Sequence, residues 1–227
     1  MRDNSCNMSN CFLCRHCIPE WKEVIAVKKK TILFKKGEML FKEGQKVNGI
    51  YFLYSGAVKV HKQWVSSGEL IIRFTKEGDI LGHRGLRNDL YPVSATALVE
   101  SKACYIPNDF LETTLKTDHS FTYTLMQFYS DELQKAEMRM RNLAFMEVNG
   151  RIAETLLEIH SIFGTDKTGF ISVPVTRQDI ATYSGTTYES VFKFLRTLVA
   201  SKTIAVNGKS IRIVNEGKLQ KMIKNKM

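Results

Sequence analysis

The chain has 227 residues, 44% of them hydrophobic, and 33 Lys and Arg against 23 Asp and Glu give a formal net charge of +10. That length supplies one large or two smaller packed domains. No run of 18 apolar residues exists, and the opening MRDNSCNMSN lacks the apolar segment of a secretory signal, so a cytoplasmic protein with no membrane span is expected. Reduced thiols are the rule there, which disfavours a disulfide framework, while the basic excess suits a polyanionic partner. The excess is uneven: from Gly150 onward 12 Lys and Arg face 6 Asp and Glu, against 21 and 17 before it.

In chain order, the first signal is chemical. CNMSNCFLCRHC, residues 6–17, holds Cys6, Cys11, Cys14 and Cys17, and only Cys104 follows. Cys11, Cys14 and Cys17 form a C-x2-C-x2-C run, the spacing by which three loop thiolates wrap an iron–sulfur cube with a fourth ligand from elsewhere. C-x2-C pairs also serve zinc sites and thiol–disulfide switches, and an arm with no metal is the plain alternative. His16 lies inside the run, where it could replace a thiolate on zinc or simply be solvated.

Residues 31–106 read as short strands. TILFKKGEMLFKEG, NGIYFLYSGAVKVHKQ, SGELIIRFTKEGDILG and VSATALVESKACYIP are rich in β-branched and aromatic residues and are broken by glycine about every ten residues. That pattern predicts an all-β sandwich or barrel. From Asp118 to Leu143 the period changes. Gly and Pro are absent, and Phe121, Leu125, Phe128 or Tyr129, Leu133, Ala136, Met140 and Leu143 recur at steps of three and four. This predicts one long helix whose seam, Leu125, Tyr129, Leu133, Ala136, Met140 and Leu143, approaches a coiled-coil heptad and forms a dimer interface. The competing expectation is that the same stripe lies on the β domain.

After Val148-Asn149-Gly150, RIAETLLEIHSIFG gives a second amphipathic helix. Further on, Thr176 with Asp179 three residues later makes a capping-box-like start, and Ser184-Gly185 an end with a C-cap glycine. Thr186 or Thr187 then caps a helix running to about Ser201. Two short helices around a tight glycine turn are a helix-turn-helix. IAVNGKSIRIV adds two alternating strands around Asn207-Gly208, a type I′ hairpin signal and a natural wing.

This order of parts resembles the CRP/FNR family of bacterial transcription regulators. The resemblance is carried by KKGEMLFKEG, IYFLYSGAVKV, EGDILGHRGL and, most specifically, TRQDIATYSGTTYESVFKFLRTL, and it covers roughly residues 20–215. It implies an α+β fold: an N-terminal antiparallel, jelly-roll-like β-roll, a long dimerisation helix and a C-terminal winged helix-turn-helix. The divisions expected are 1–19 for a cysteine-rich arm, 20–117 for the β-roll, 118–148 for the helix and 149–227 for the DNA-binding domain. The family implies a homodimer on a pseudo-palindromic DNA operator, with RNA polymerase as a further partner. No P-loop, paired-carboxylate or nucleophile–histidine arrangement points to an enzyme. A nucleotide-responsive regulatory subunit is the alternative of another class, but a helix-turn-helix has no role in one.

In the second helix, Thr187, Tyr188, Glu189 and Ser190 would meet base edges in the major groove. Glu189 can accept from cytosine N4, and Lys193, one turn on, can reach guanine or phosphate. Thr176, Arg177 and Gln178 lie where the family contacts the DNA backbone, and Arg196 and the wing residue Lys209 complete the expected DNA-binding set. The family often has Arg at the position of Lys193, and Arg, Val or a small residue where Tyr188 and Phe192 stand, so its operator does not transfer.

Cyclic-nucleotide-binding members hold the ribose with a Glu and the cyclic phosphate with an Arg-Ser pair. The matching stretches here are Gly82-His83-Arg84-Gly85 and Pro92-Val93-Ser94-Ala95. His83 replaces the Glu and Val93 the Arg, which removes a bidentate charge-assisted pair, so cyclic AMP is not expected. His83 and Arg84 are then either a site for a different anion or the polar rim of a vestigial pocket, whose expected residues are His83, Arg84, Val93 and Ser94. A small ligand or haem in the β-roll remains a rival, with His61, His83 and His119 as conceivable axial ligands. The oxygen-sensing branch of the family uses an N-terminal cysteine cluster plus a distant cysteine on the β-roll, a position matched by Cys104. Its gap before the third N-terminal ligand is longer than the one here. The resemblance thus implies a [4Fe–4S] cluster on Cys11, Cys14 and Cys17 with Cys6 or Cys104, sensing oxygen or nitric oxide.

Overall fold

The computed structural model describes residues 11–64, 68–86 and 89–224. Two short helices come first, α1 (Phe12–His16) and α2 (Trp21–Lys28). Strands β1 (Lys30–Phe34), β2 (Met39–Phe41), β3 (Gly49–Ser55), β4 (Ala57–Trp64), β5 (Gly68–Lys76) and β6 (Ile80–Leu81) follow. After a single 3-10 turn at His83–Gly85 come β7 (Ser94–Ala97) and β8 (Ser101–Pro107). Helices α3 (Asn108–Thr117), α4 (His119–Phe145), α5 (Val148–Phe163), α6 (Arg177–Ser184) and α7 (Tyr188–Ala200) precede the hairpin β9 (Ile204–Asn207) and β10 (Ser210–Ile213), and α8 (Glu216–Lys224) closes the described chain. None of these helices is long and apolar enough to cross a membrane.

The strands form two four-stranded sheets, β1-β8-β3-β6 and β2-β7-β4-β5, with antiparallel neighbours throughout the registers that can be traced. This is the predicted α+β architecture with a jelly-roll-like β-roll. The turn from β3 to β4 depends on Gly56. Its φ is +95°, and a Cβ there would lie 2.3 Å from Ser101 Oγ, an atom that itself accepts the Ala57 N–H at 3.2 Å.

The chain divides into two compact units, and the border falls inside α4, between Gln134 and Lys135; Gly68–Phe74 of β5 belongs with the second unit. Hydrophobic periodicity marks a helix as one continuous element, whereas side-chain packing decides which unit each part joins.

The long helix starts where the buried Asp118 accepts the Phe121 N–H at 2.9 Å as its N-cap. Its expected dimer seam needs correction in its first half. Leu125 is only 4% exposed and packs with Phe121 into the core of its own chain, and the Tyr129 hydroxyl donates to His83 O at 2.6 Å. These turns lie on the β-roll, as the competing expectation had it. Farther along, Leu133 and Met140 are 60% and 61% exposed and Ala136 is exposed, while Leu143 is half-buried. Val148-Asn149-Gly150 is not a separator but the first turn of α5.

Candidate nucleic-acid interface and thiol centre

The helix-turn-helix is assembled from local signals. At the start of α6, Asp179 N–H donates to Thr176 Oγ1 at 3.0 Å, while the Thr176 N–H and hydroxyl donate to Asp179 Oδ2 at 3.1 and 2.5 Å. This reciprocal capping box satisfies donors that the first helical turn leaves open. The helix ends at Gly185 with φ +62°. A Cβ at that position would also meet Leu143 Cδ2 at 2.6 Å, but that methyl ends a side chain that can turn aside, so it is the left-handed turn that demands glycine. Thr187, rather than Thr186, caps α7, its Oγ1 accepting the Ser190 N–H at 3.2 Å.

Arg151 holds the turn in place, a role with no local signal in the sequence. Its Nε donates to Ser184 O at 2.9 Å, its Nη2 to Gly185 O at 3.2 Å and its Nη1 to Met146 O at 2.7 Å. On α7, Val191, Phe194, Leu195 and Leu198 are buried, while Tyr188, Glu189, Phe192, Lys193 and Arg196 face outward. Lys193 Nζ lies 2.7 Å from Glu189 Oε1, and its bond and charge hold that carboxyl below the usual range. Thr187 and Gln178 are exposed, and Thr176, Arg177 and Ser190 are half-buried. The wing turn falls one residue later than expected. Asn207 pairs with Ser210, so the loop is Gly208-Lys209, and only Gly208 has positive φ, at +60°. That is the pattern of a type II′ turn, not type I′, and it sets the exposed Lys209 at the tip.

At the other end of the chain, Cys11, Cys14, Cys17 and Cys104 are buried to 5%, 3%, 7% and 4% exposure and are all thiols. They share one apolar cluster with Ile50, Phe52 and Ile106 of the β-roll and Phe121 and Leu125 of α4. Cys104 sits in β8, paired between Thr31 of β1 and Phe52 of β3. Residues 11–17 are therefore part of the core rather than a separate arm. Cys11 and Cys17 flank α1, and Cys14 lies within it, where loop thiolates were expected. Its anchors are specific. Ile18 N–H donates to Asp118 Oδ2 at 2.8 Å, and Trp21 Nε1 donates to Thr114 Oγ1 at 2.8 Å. The Phe12 ring meets Phe121 at 6.1 Å and Phe128 at 5.4 Å, and His16, half-buried rather than solvated, packs on Phe12. Burial and the nearby Asp118 carboxylate push the Cys17 thiol above its ordinary value. Among the described residues no three His, Cys, Asp or Glu side chains converge as a metal-ligand group. Cys6 lies outside the described residues.

The expected pocket rim is also corrected. His83 is 4% exposed and meets Phe128 and Tyr129 of α4 edge-on, with ring centroids at 5.1 and 5.5 Å. Burial pushes the Tyr129 phenol up to about 12. Arg84 lies 3.5 Å from Glu132, also on α4. His83 and Arg84 thus belong to the contact with the long helix, because aromatic side chains of α4 cover His83 and Glu132 pairs with Arg84. Val93 is buried, and Ser94 Oγ accepts the Glu43 N–H at 2.9 Å. Beside them Tyr91 stacks on Phe41 at 4.2 Å and donates to Gly49 O at 2.5 Å. Of the other histidines, His61 is buried with Nε2 2.8 Å from Thr96 Oγ1, and His119 is exposed.

Two family models match the chain: the cyclic nucleotide-binding domain over residues 31–118 and the Crp-like helix-turn-helix domain over residues 150–222. The chain is 27% identical over 181 residues to the fumarate and nitrate reduction regulatory protein of Vibrio cholerae serotype O1, covering 78% of this chain and 72% of the relative. It is also 27% identical over 174 residues to the CRP-like cAMP-activated global transcriptional regulator of Mycobacterium tuberculosis, covering 75% and 77%. Identity alone therefore does not separate these two kinds of relative. The solved structure of FixK2 from Bradyrhizobium japonicum has the same fold, with a TM-score of 0.77 at 24% identity over 86% of this chain and 96% of that one.

Proposed function

Since the chain belongs to the CRP/FNR family, whose members are transcription regulators and not enzymes, we propose that it is a homodimeric, sequence-specific DNA-binding regulator responding to redox state, oxygen or nitric oxide rather than cyclic AMP. The observation that carries this reading is the gathering of Cys11, Cys14, Cys17 and Cys104 in one buried cluster with Phe121 and Leu125. Chemistry at these sulfurs changes the packing of α4. A signal that alters α4 biases a two-state equilibrium of the dimer, and RNA polymerase is the protein partner at the operator. Against cyclic AMP stand the apolar Val93 at the phosphate position and a Ser94 hydroxyl already held by Glu43.

Four cysteine sulfurs match a [4Fe–4S] cluster in number and kind. They do not form a finished ligand set, since no three of the described donors converge. Cys14 lies within α1, while Cys11 and Cys17 flank it in extended backbone. Holding the cluster would therefore require these three cysteines to regroup around it. When bound, such a cluster supplies an oxygen-labile link among the four sulfurs. A second reading, a thiol–disulfide switch in the same residues, is favoured by the four cysteines sharing one core.

The test is anaerobic purification and reconstitution, with iron and sulfide assays, followed by DNA binding before and after air. A brown protein with about four irons per chain, made colourless by Cys14→Ser, supports the cluster. A colourless wild type overturns it. Air-sensitive DNA binding restored by dithiothreitol then supports the thiol switch, and bound zinc supports a zinc site instead. DNA binding indifferent to air and reductant overturns the redox reading altogether, as saturable micromolar binding of cyclic AMP by calorimetry overturns the exclusion of that ligand.

A further inference from the structure

The outward side of α7 carries two large rings that the hydrogen-bonding residues leave unexplained. Tyr188 is 47% and Phe192 38% exposed, although Val191, Phe194, Leu195 and Leu198 on the other side are all buried. Four residues apart, the two rings stack with centroids 6.4 Å apart and planes 14° from parallel. The guanidiniums of Arg177 and Arg196 lie over the Phe192 ring, 5.5 and 5.9 Å from its centroid. Alongside runs a second row, Glu189 and Lys193, in which the two charges satisfy each other at 2.7 Å.

A single exposed ring on a protein surface carries no message. Two stacked rings, one of them with two cations over it, on the helix that meets base edges, match a partner that has an apolar group beside anionic ones. The major groove has one such feature. The C5 methyl of thymine is its apolar group, and phosphates line its edges. Helical side chains lean toward the N-terminus, so both rings point to the end of α7 that a helix-turn-helix presents to the bases.

We propose that Tyr188 and Phe192 read thymine methyl groups, making the operator half-site thymine-specific opposite α7, while Arg177 and Arg196 hold the flanking phosphates. This rests on the DNA-binding reading above and adds a base class to it. Removing one buried methyl costs about fourfold in affinity.

Full-length protein, both in air and under anaerobic reductant, is used to select sites from duplexes with randomised half-sites. Each thymine of the selected site is then replaced by deoxyuridine, which removes only the methyl. We expect a loss of about fourfold per methyl at one or two positions of each half-site, absent in Phe192→Ala and kept in Lys193→Ala. Wild-type protein that binds the deoxyuridine sites as tightly as the thymine sites overturns the proposal and leaves sequence-specific binding standing. If no duplex is enriched under either condition, the DNA-binding reading itself fails. The decisive comparison uses wild type, so it does not depend on the variants folding.

Discussion

Arg139 engages Tyr183 twice: its Nη2 donates to Tyr183 O at 2.7 Å, and its guanidinium lies 4.0 Å over the Tyr183 ring. The same group donates to Ile71 O at 2.6 Å and to Ile72 O. Tyr183 in turn donates its hydroxyl to Glu158 Oε1 at 2.5 Å, and burial together with that carboxylate raises its phenol well above the ordinary value. One cation from α4 therefore joins the Gly68–Phe74 stretch to the first helix of the helix-turn-helix. Only a planar, multi-donor group can do this, which makes lysine a poor substitute.

Arg139→Ala should lower stability by about 2–3 kcal/mol, since three carbonyls lose a charged donor. Arg139→Lys should recover little of it. Thermal denaturation followed by circular dichroism reads both, and an unchanged melting temperature in the alanine variant would show the contact to be idle.

Asp118 is 1% exposed and accepts from both Ile18 and Phe121. Asp118→Ala should cost about 1–3 kcal/mol, because it removes the α4 cap and strands the Ile18 N–H. Asp118→Asn, which keeps one acceptor oxygen, should lose less. Equal losses in urea titrations of the two variants would mean that the second bond contributes nothing.

The exposed part of the α4 seam supports the dimer proposal. Leu133 and Met140 leave most of their surface uncovered in the single chain. Burying each against a partner is worth about 1.5–3 kcal/mol. Replacing both with Glu should give monomers by analytical ultracentrifugation. Dimers that persist would place the interface elsewhere.

Glu154 accepts from Asn142 Nδ2 at 2.8 and 3.0 Å, yet its carboxyl is raised above the ordinary 4.5, chiefly by burial and further by Glu158. A carboxyl raised on folding is best tolerated protonated, so its contribution is fully present below pH 4.5 and lost as pH climbs through the raised value. Glu154→Gln keeps an oxygen for Asn142 and never ionises. Its melting temperature should exceed that of wild type at pH 7 and match it at pH 4. A gain of equal size at both pH values would remove ionisation as the cause.

Lys193→Ala should weaken binding to a selected operator by about 1–3 kcal/mol, and more than it weakens binding to random DNA, if Lys193 reads a base. The loss measured by fluorescence anisotropy should be accompanied by a steep decline of all binding with salt. Equal losses on both DNAs would reduce Lys193 to a phosphate contact.

The sequence by itself determined the parts whose causes are local. Thr176 with Asp179 names the start of α6, Gly185 its left-handed end, and the apolar period from Phe121 onward the long helix, because caps, φ preferences and helical periodicity act within a few residues. Even here, which loop residues turn the wing was decided by pairing: with Asn207 opposite Ser210, the turn moves one residue on to Gly208-Lys209. Only the tertiary structure decided the rest. Cys104 joins Cys17 from 87 positions away through the β1-β8-β3 sheet, His83 is buried because Phe128 and Tyr129 close over it, and Leu125 is taken from the dimer seam by the core of its own chain. An amphipathic stripe states that a face must be covered, but the covering surface is chosen by side-chain packing between segments far apart in the chain, which no periodicity encodes.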